Sequence, residues 1–160
     1  RGQFTWQALD EGAQFCLSKN INLDEALRWA DASIQNEERF ENLSTKADIL
    51  KALNRPDEAK TTWNQALQKA GAPQLYTYGR QLQNQKKGAE ALEIFKEVAK
   101  RFPNGVYGSL AQARIKSAAG DFAGAASDAR QAQAAAPNEG QKQSIQALIT
   151  RLDAKQDINK

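Results

Sequence analysis

The side chains that usually carry chemistry are scarce in this chain, and their spacing points away from catalysis. There is no histidine, so the commonest proton shuttle and metal ligand is missing. Cys16 is the single cysteine. With no imidazole to activate it, it reads as inert packing on a helical face. The acidic pairs Asp24-Glu25 and Asp57-Glu58 stand where helices begin, where they satisfy the helix dipole without any acid-base role. The segments Gly105-Val106-Tyr107-Gly108 and Gly120-Asp121-Phe122-Ala123-Gly124 lack the Gly-Lys-Ser/Thr of a phosphate loop. Asn42-Leu43-Ser44 has the form of a glycosylation sequon, but Leu43 falls at a core position of a helix, so the match reads as chance. The expectation is a chain that is not an enzyme and that holds neither a cofactor nor a metal.

The elements that would position a binding surface are far more legible. Alanine, glutamine, lysine and glutamate dominate and β-branched residues are few, which favours an all-α fold. Ala26, Ala59, Ala91 and Ala125 recur at spacings of 33, 32 and 34 residues. A period in the low thirties marks stacked supersecondary units, each too small to bury its apolar face alone. In the second unit Leu43, Ala47 and Leu50 share one helical face, Asn54-Arg55-Pro56 breaks the helix, and Ala59, Trp63, Ala66 and Leu67 form the next face up to Gly71-Ala72-Pro73. The third repeats this with Leu75, Tyr78, Gly79 and Leu82, then Ala91, Phe95, Val98 and Ala99, before Phe102-Pro103-Asn104. In the fourth, Gly120 suits a left-handed helix end and Asp121 an N-cap, and Ala125, Ala129 and Ala132 lead to Pro137.

The first unit is irregular. Trp6, Leu9, Ala13 and either Cys16 or Leu17 share a face, and Asn22 with Glu25 has the spacing of a capping box. Phe4 and Trp6 either staple the first helix to the second or pack on a further domain. After Pro137, Asn138 caps a closing helix with the stripe Ile145, Leu148, Ile149 and Leu152.

These residues resemble the tetratricopeptide repeat (TPR) family over about residues 7–137. Its 34-residue pattern is matched in the third unit by Leu75, Gly79, Leu82, Ala91, Phe95, Val98 and Pro103, and in the second by Leu43, Ala47, Leu50, Ala59, Trp63 and Ala66. The fourth supplies Ala113, Gly120, Ala125, Ala132 and Pro137 but departs at Ser109, Lys116 and Ala129. The resemblance implies one right-handed α-solenoid domain over 1–160, with helix pairs at about 4–39, 40–72, 73–104 and 105–137 and a capping helix at 138–155.

It also implies a partner, a protein or peptide, bound in a groove lined by the first helix of each pair. Position by position, that groove carries Asp48, Lys51, Tyr76, Arg80, Gln83, Tyr107 and Arg114. Stacked guanidinium groups beside tyrosines suit an acidic peptide; the alternative is that Asp48 pairs with Arg80 and Arg114 is simply solvated. The clamp with which some TPR domains hold the acidic tail of heat-shock chaperones is not matched, since Gln14 or Phe15, Thr45, Pro73 and Thr77 stand at its positions. A competing expectation from a structural class is a spacer or dimerisation arm acting through Phe4, Trp6 or the outer surface.

The net charge is +3, from 10 basic and 11 acidic groups in residues 1–80 and 12 and 8 in residues 81–160. That excess is too small to imply nucleic acid, and basic patches are not interleaved with aromatics. No long apolar stretch spans a membrane, and no signal-peptide pattern is present. The absence of methionine suggests a processed product or an excised domain. The run from Phe4-Thr5-Trp6-Gln7-Ala8-Leu9 into Asn22-Leu23-Asp24-Glu25-Ala26-Leu27-Arg28-Trp29 is similar to the helical tails of certain secreted proteins of Bacteroidetes-type bacteria. That likeness implies a β-rich domain ahead of Arg1, with which this chain would make contact, and a periplasmic or extracellular location, while the lone cysteine leaves a cytoplasmic one open.

Overall fold

The computed structural model describes residues 4–160, and every regular element among them is an α-helix. The chain divides into two compact units, the first ending at Ala70 and the second starting at Gly71. Unit 1 contains α1 (Trp6–Lys19), α2 (Leu23–Asn36), α3 (Phe40–Ala52) and α4 (Pro56–Lys69). Unit 2 contains α5 (Ala72–Asn84), α6 (Gly88–Arg101), α7 (Val106–Ala118), α8 (Phe122–Ala135) and α9 (Glu139–Asp153). Within each unit every helix packs on the next, and the first helices of successive pairs, α1 with α3 and α5 with α7, also touch. This is the all-α helical-repeat arrangement that the alanine period demands.

The four period-marking alanines are each at most 1 % exposed. They sit on the second helix of each pair, where a methyl group lets two helix backbones approach closely. Bulk is supplied around them: Trp63 packs on Phe40 with ring centroids 5.8 Å apart, and Phe95 is fully buried in unit 2. Where the fourth pair departs from the repeat pattern, Ala129 is fully buried in place of an aromatic ring, and Lys116 reaches across to the Asp128 carboxylate at 2.8 Å.

Local signals set the helix ends. Pro56 opens α4 in the first turn, where its missing N–H is no loss. Gly120 takes φ +83°, and the Asp121 carboxylate accepts from the Gly124 N–H to start α8. Asn138 likewise accepts from the Gln141 N–H at the start of α9. Asn22 differs from the expected capping box. Its backbone is left-handed (φ 48°) and its side chain makes no cap hydrogen bond, and Glu25 instead pairs with Arg28.

The polar group that organises unit 1 is Asn42. Its Oδ1 accepts from the Arg39 N–H, and its Nδ2 donates to Ser33 Oγ and to the Glu37 carbonyl. The Ser33 hydroxyl in turn donates to the Trp6 carbonyl, so one carboxamide ties the starts of α1 and α3 to the end of α2. Asn42 is completely buried, which removes the sequon from reach in the folded chain. Asn42→Ala is expected to destabilise unit 1 by about 2 kcal/mol, because the buried Ser33 hydroxyl and two main-chain groups, the Arg39 N–H and the Glu37 carbonyl, lose their hydrogen bonds. Urea unfolding followed by tryptophan fluorescence checks this, and a midpoint equal to the parent's would contradict it.

Cys16 is the core-facing residue at the end of α1, packed with Ala13, Ala26, Ala30 and Ile49, while Leu17 lies at the edge of that cluster. The Trp6 ring is half-buried under the Arg39 guanidinium, 4.7 Å from its centroid, so it acts as a staple within unit 1. Phe4 stays 67 % exposed, although its carbonyl accepts from Asn36 Nδ2.

Candidate functional site

The expected groove residues divide between the two units. Asp48 and Lys51 stand on α3 and face solvent, their charged groups 3.9 Å apart one turn along the helix; exposed pairs of this kind contribute little. Tyr76, Arg80, Gln83, Tyr107 and Arg114 all belong to unit 2, and the fold brings them onto one face built by α5, α7 and α9.

Two of these residues differ from the expectation of an open groove lining. Tyr76 is buried and Arg114 is only 2 % exposed. Arg114 lies among aromatic rings, its guanidinium 5.5 Å from the centroid of Tyr76 and 5.7 Å from that of Phe95. Its Nε donates to the Tyr76 hydroxyl at 2.6 Å and its Nη1 to the Ile158 carbonyl at 2.8 Å. A fully buried cation is tolerable only when its N–H groups are satisfied, and here the π faces and two oxygens supply that.

Arg80 is half-buried one turn nearer the open side of α5, and its Nη1 donates to the Gln83 side chain at 2.6 Å. The Arg80 guanidinium is held below the usual arginine range, first by burial and then by the like charge of Arg114, with Arg151 of α9 adding to it. Arg151 itself donates to the carbonyls of Asp157 and Lys160. None of these acceptors is an acidic side chain. None of the three arginines is thus in a direct ion pair among the described residues, in a partly desolvated site where charge counts for more than it does in water.

Two cavities open on this face, and Arg80 and Leu148 border both. One, of about 320 Å³, is lined by Tyr76, Tyr107, Arg114, Gln141 and Ile145. Gln141 Nε2 donates to the Tyr107 hydroxyl at 3.3 Å, while its Oε1 is buried and accepts no hydrogen bond. The other, of about 720 Å³, is lined by Lys86, Leu92, Arg151 and the segment Asp157–Lys160.

Nothing in the repeat pattern announces that segment. After α9 the chain reverses at Lys155, which adopts φ 59°, and lays residues 156–160 across α5 and α7. Ser117 Oγ donates to the Asp157 carboxylate at 2.8 Å and accepts from the Ile158 N–H at 3.0 Å. Asn159 accepts from Gln83 Nε2 at 2.7 Å and donates to the Arg114 carbonyl at 2.8 Å. Burial works to raise the Asp157 carboxyl, but hydrogen bonds from the Asn159 N–H, the Ser117 hydroxyl and the Asn159 amide hold it below the usual carboxylate range. The one hint in the sequence is Ile158, an isolated aliphatic residue in a polar run, and it is 2 % exposed.

Among the described residues no group of histidine, cysteine, aspartate and glutamate side chains could hold a metal ion, and no helix is long and apolar enough to cross a membrane. No family model matches the chain, and no curated protein or solved structure shows significant similarity to it.

Proposed function

We propose that the chain is a TPR-like interaction module and that the α5, α7 and α9 face of unit 2 binds a peptide segment of a partner protein that carries acidic residues. The observation that carries this reading is the convergence of Arg80, Arg114 and Arg151 on one face with, among the described residues, no acidic side chain as their acceptor. An extended peptide offers such a face two kinds of acceptor. Main-chain carbonyls suit the buried guanidinium of Arg114, and carboxylates suit the half-buried Arg80, where a charge-assisted hydrogen bond is stronger than a neutral one. The cavity beside Tyr76 and Tyr107 gives side chains somewhere to go, and the unpartnered Gln141 Oε1 awaits an N–H or O–H donor.

The test is an array of immobilised peptides of graded acidic content, probed with the labelled full chain and with its Arg80→Glu variant. Capture is expected to rise with acidic content and to fall at least tenfold in the variant. A profile that is flat with acidic content would overturn the reading. Because the contact is partly electrostatic, capture should also weaken as salt is raised.

A further inference from the structure

The stretch after α9 is held unlike any other part of unit 2. Helix α9 is anchored by Ile145, Ile149 and Leu152, all nearly inaccessible, so its packing does not depend on the residues beyond its end. There Ala154, Lys155 and Gln156 are exposed. The segment is fixed only by one buried aliphatic side chain and by hydrogen bonds to groups of the helices beneath it. Ser117 makes two bonds to it, Arg114 gives its Nη1 to it, Gln83 gives its side-chain N–H, and Arg151 embraces its two ends. Elements with few buried apolar contacts open at lower cost than packed helices do. Lys155 adds to this, because a left-handed backbone is unfavourable for a residue with a Cβ.

The receiving groups are also those of a peptide-binding face. Main-chain N–H and C=O groups of the segment are read by Ser117 and Arg114, a carboxylate by Ser117, an aliphatic group by burial to 2 % exposure, and a carboxamide by Gln83 and the Arg114 carbonyl. We propose that Asp157-Ile158-Asn159 is a resident ligand of this face, and that the outside partner presents the same order of groups: a carboxylate, an aliphatic side chain and a carboxamide. The proposal rests on the reading of unit 2 as a peptide-binding module and names both its ligand pattern and its built-in competitor. A partner wins by extending further than the resident segment does, into the 320 Å³ cavity beside Tyr76 and Gln141.

A tethered segment competes at an effective concentration of about 1 mM, so a ligand of similar intrinsic strength, with a Kd of about 0.1 mM, is suppressed roughly tenfold. The test uses a fluorescent heptapeptide with the sequence of residues 154–160, titrated by anisotropy into the full chain, into Ile158→Ala/Asn159→Ala, and into that double variant with Ser117→Ala added. The double variant should bind the peptide about tenfold more tightly than the parent, and adding Ser117→Ala should abolish the gain. A scrambled heptapeptide should not bind. Equal affinity for parent and double variant, or equal binding of the scrambled peptide, overturns the proposal.

Should the double variant fail to fold, Asn159→Ala alone replaces it. The parent's Ile158 amide, followed by nuclear magnetic resonance as the peptide is added, is then expected to lose its Ser117-bonded shift, and an unmoved resonance overturns the proposal. The acidic array separates the two readings. An array that responds to acidity while the heptapeptide never binds removes the resident ligand and keeps the module. A heptapeptide that binds while the array stays flat keeps the ligand pattern and removes the requirement for an acidic-rich partner.

Discussion

Gly108→Ala is expected to destabilise unit 2 by about 3 kcal/mol, the upper end of what overpacking ordinarily costs. In an exposed helix the same change gains up to about 1 kcal/mol, because alanine is the better helix former. Here the sign reverses. A Cβ on Gly108, in the first turn of α7, would lie 1.8 Å from the Phe102 carbonyl oxygen. That oxygen belongs to the main chain at the end of α6 and cannot rotate away, so the α6–α7 connection itself must move. Gly88, at the start of α6, is the internal control, since a Cβ there meets nothing within 4 Å. Gly88→Ala should leave stability unchanged or slightly raised. Urea denaturation followed by far-ultraviolet circular dichroism measures both, and a Gly108→Ala chain as stable as Gly88→Ala would refute the close approach.

The second large effect is expected at Phe95. This side chain is the largest of the fully buried ones, and truncation to alanine at such sites costs about 3–5 kcal/mol. The expectation is the upper part of that range, because the ring does more than fill volume. Tyr76 packs on it with centroids 5.5 Å apart, and it lies beneath the buried Arg114 guanidinium. Gly79 admits it: a Cβ there would come within 2.7 Å of the ring. A domain is stable by only about 5–15 kcal/mol in total, so Phe95→Ala should bring unit 2 close to unfolding at ordinary temperature. Phe95→Leu should lose less than half as much. A loss under about 1 kcal/mol for the alanine variant, well below the ordinary cost of such a truncation, would show that unit 2 has no single keystone ring.

The helical scaffold was legible in the sequence because its causes are local or periodic. The alanine spacing fixes where paired helices must touch, and Pro56, Gly120, Asp121 and Asn138 mark helix ends through chemistry that acts within a turn. Asn22 shows where a local rule yields. The capping pattern was present, but the tight α1–α2 connection puts Asn20 and Asn22 at positive φ, which carries the Asn22 side chain off the helix end.

The candidate site was legible only in part. Position within the repeat gathers Tyr76, Arg80, Gln83, Tyr107 and Arg114 on one face of unit 2. It carries no information on exposure, which is decided by what comes to rest on that face. The residue that covers Arg114 is Ile158, 44 positions further along. Nothing periodic announces a contact at that separation, and Ser117 and Arg151 acquire their roles only through it. Asn42 was obscured differently, because a sequon is read as a surface feature, whereas here the carboxamide is itself buried and bonded to three partners.

One consequence of the division at Ala70 is optical. The tryptophans, Trp6, Trp29 and Trp63, and the sole thiol, Cys16, all fall in unit 1, whereas the tyrosines, Tyr76, Tyr78 and Tyr107, all fall in unit 2. Excitation at a wavelength that only indole absorbs reports on one unit, tyrosine absorbance reports largely on the other, and labelling of the buried thiol times the opening of the first. The natural sequence is thus its own pair of probes. A heating curve read in both channels gives each unit its own midpoint, and whether those midpoints coincide measures directly the cooperativity between them.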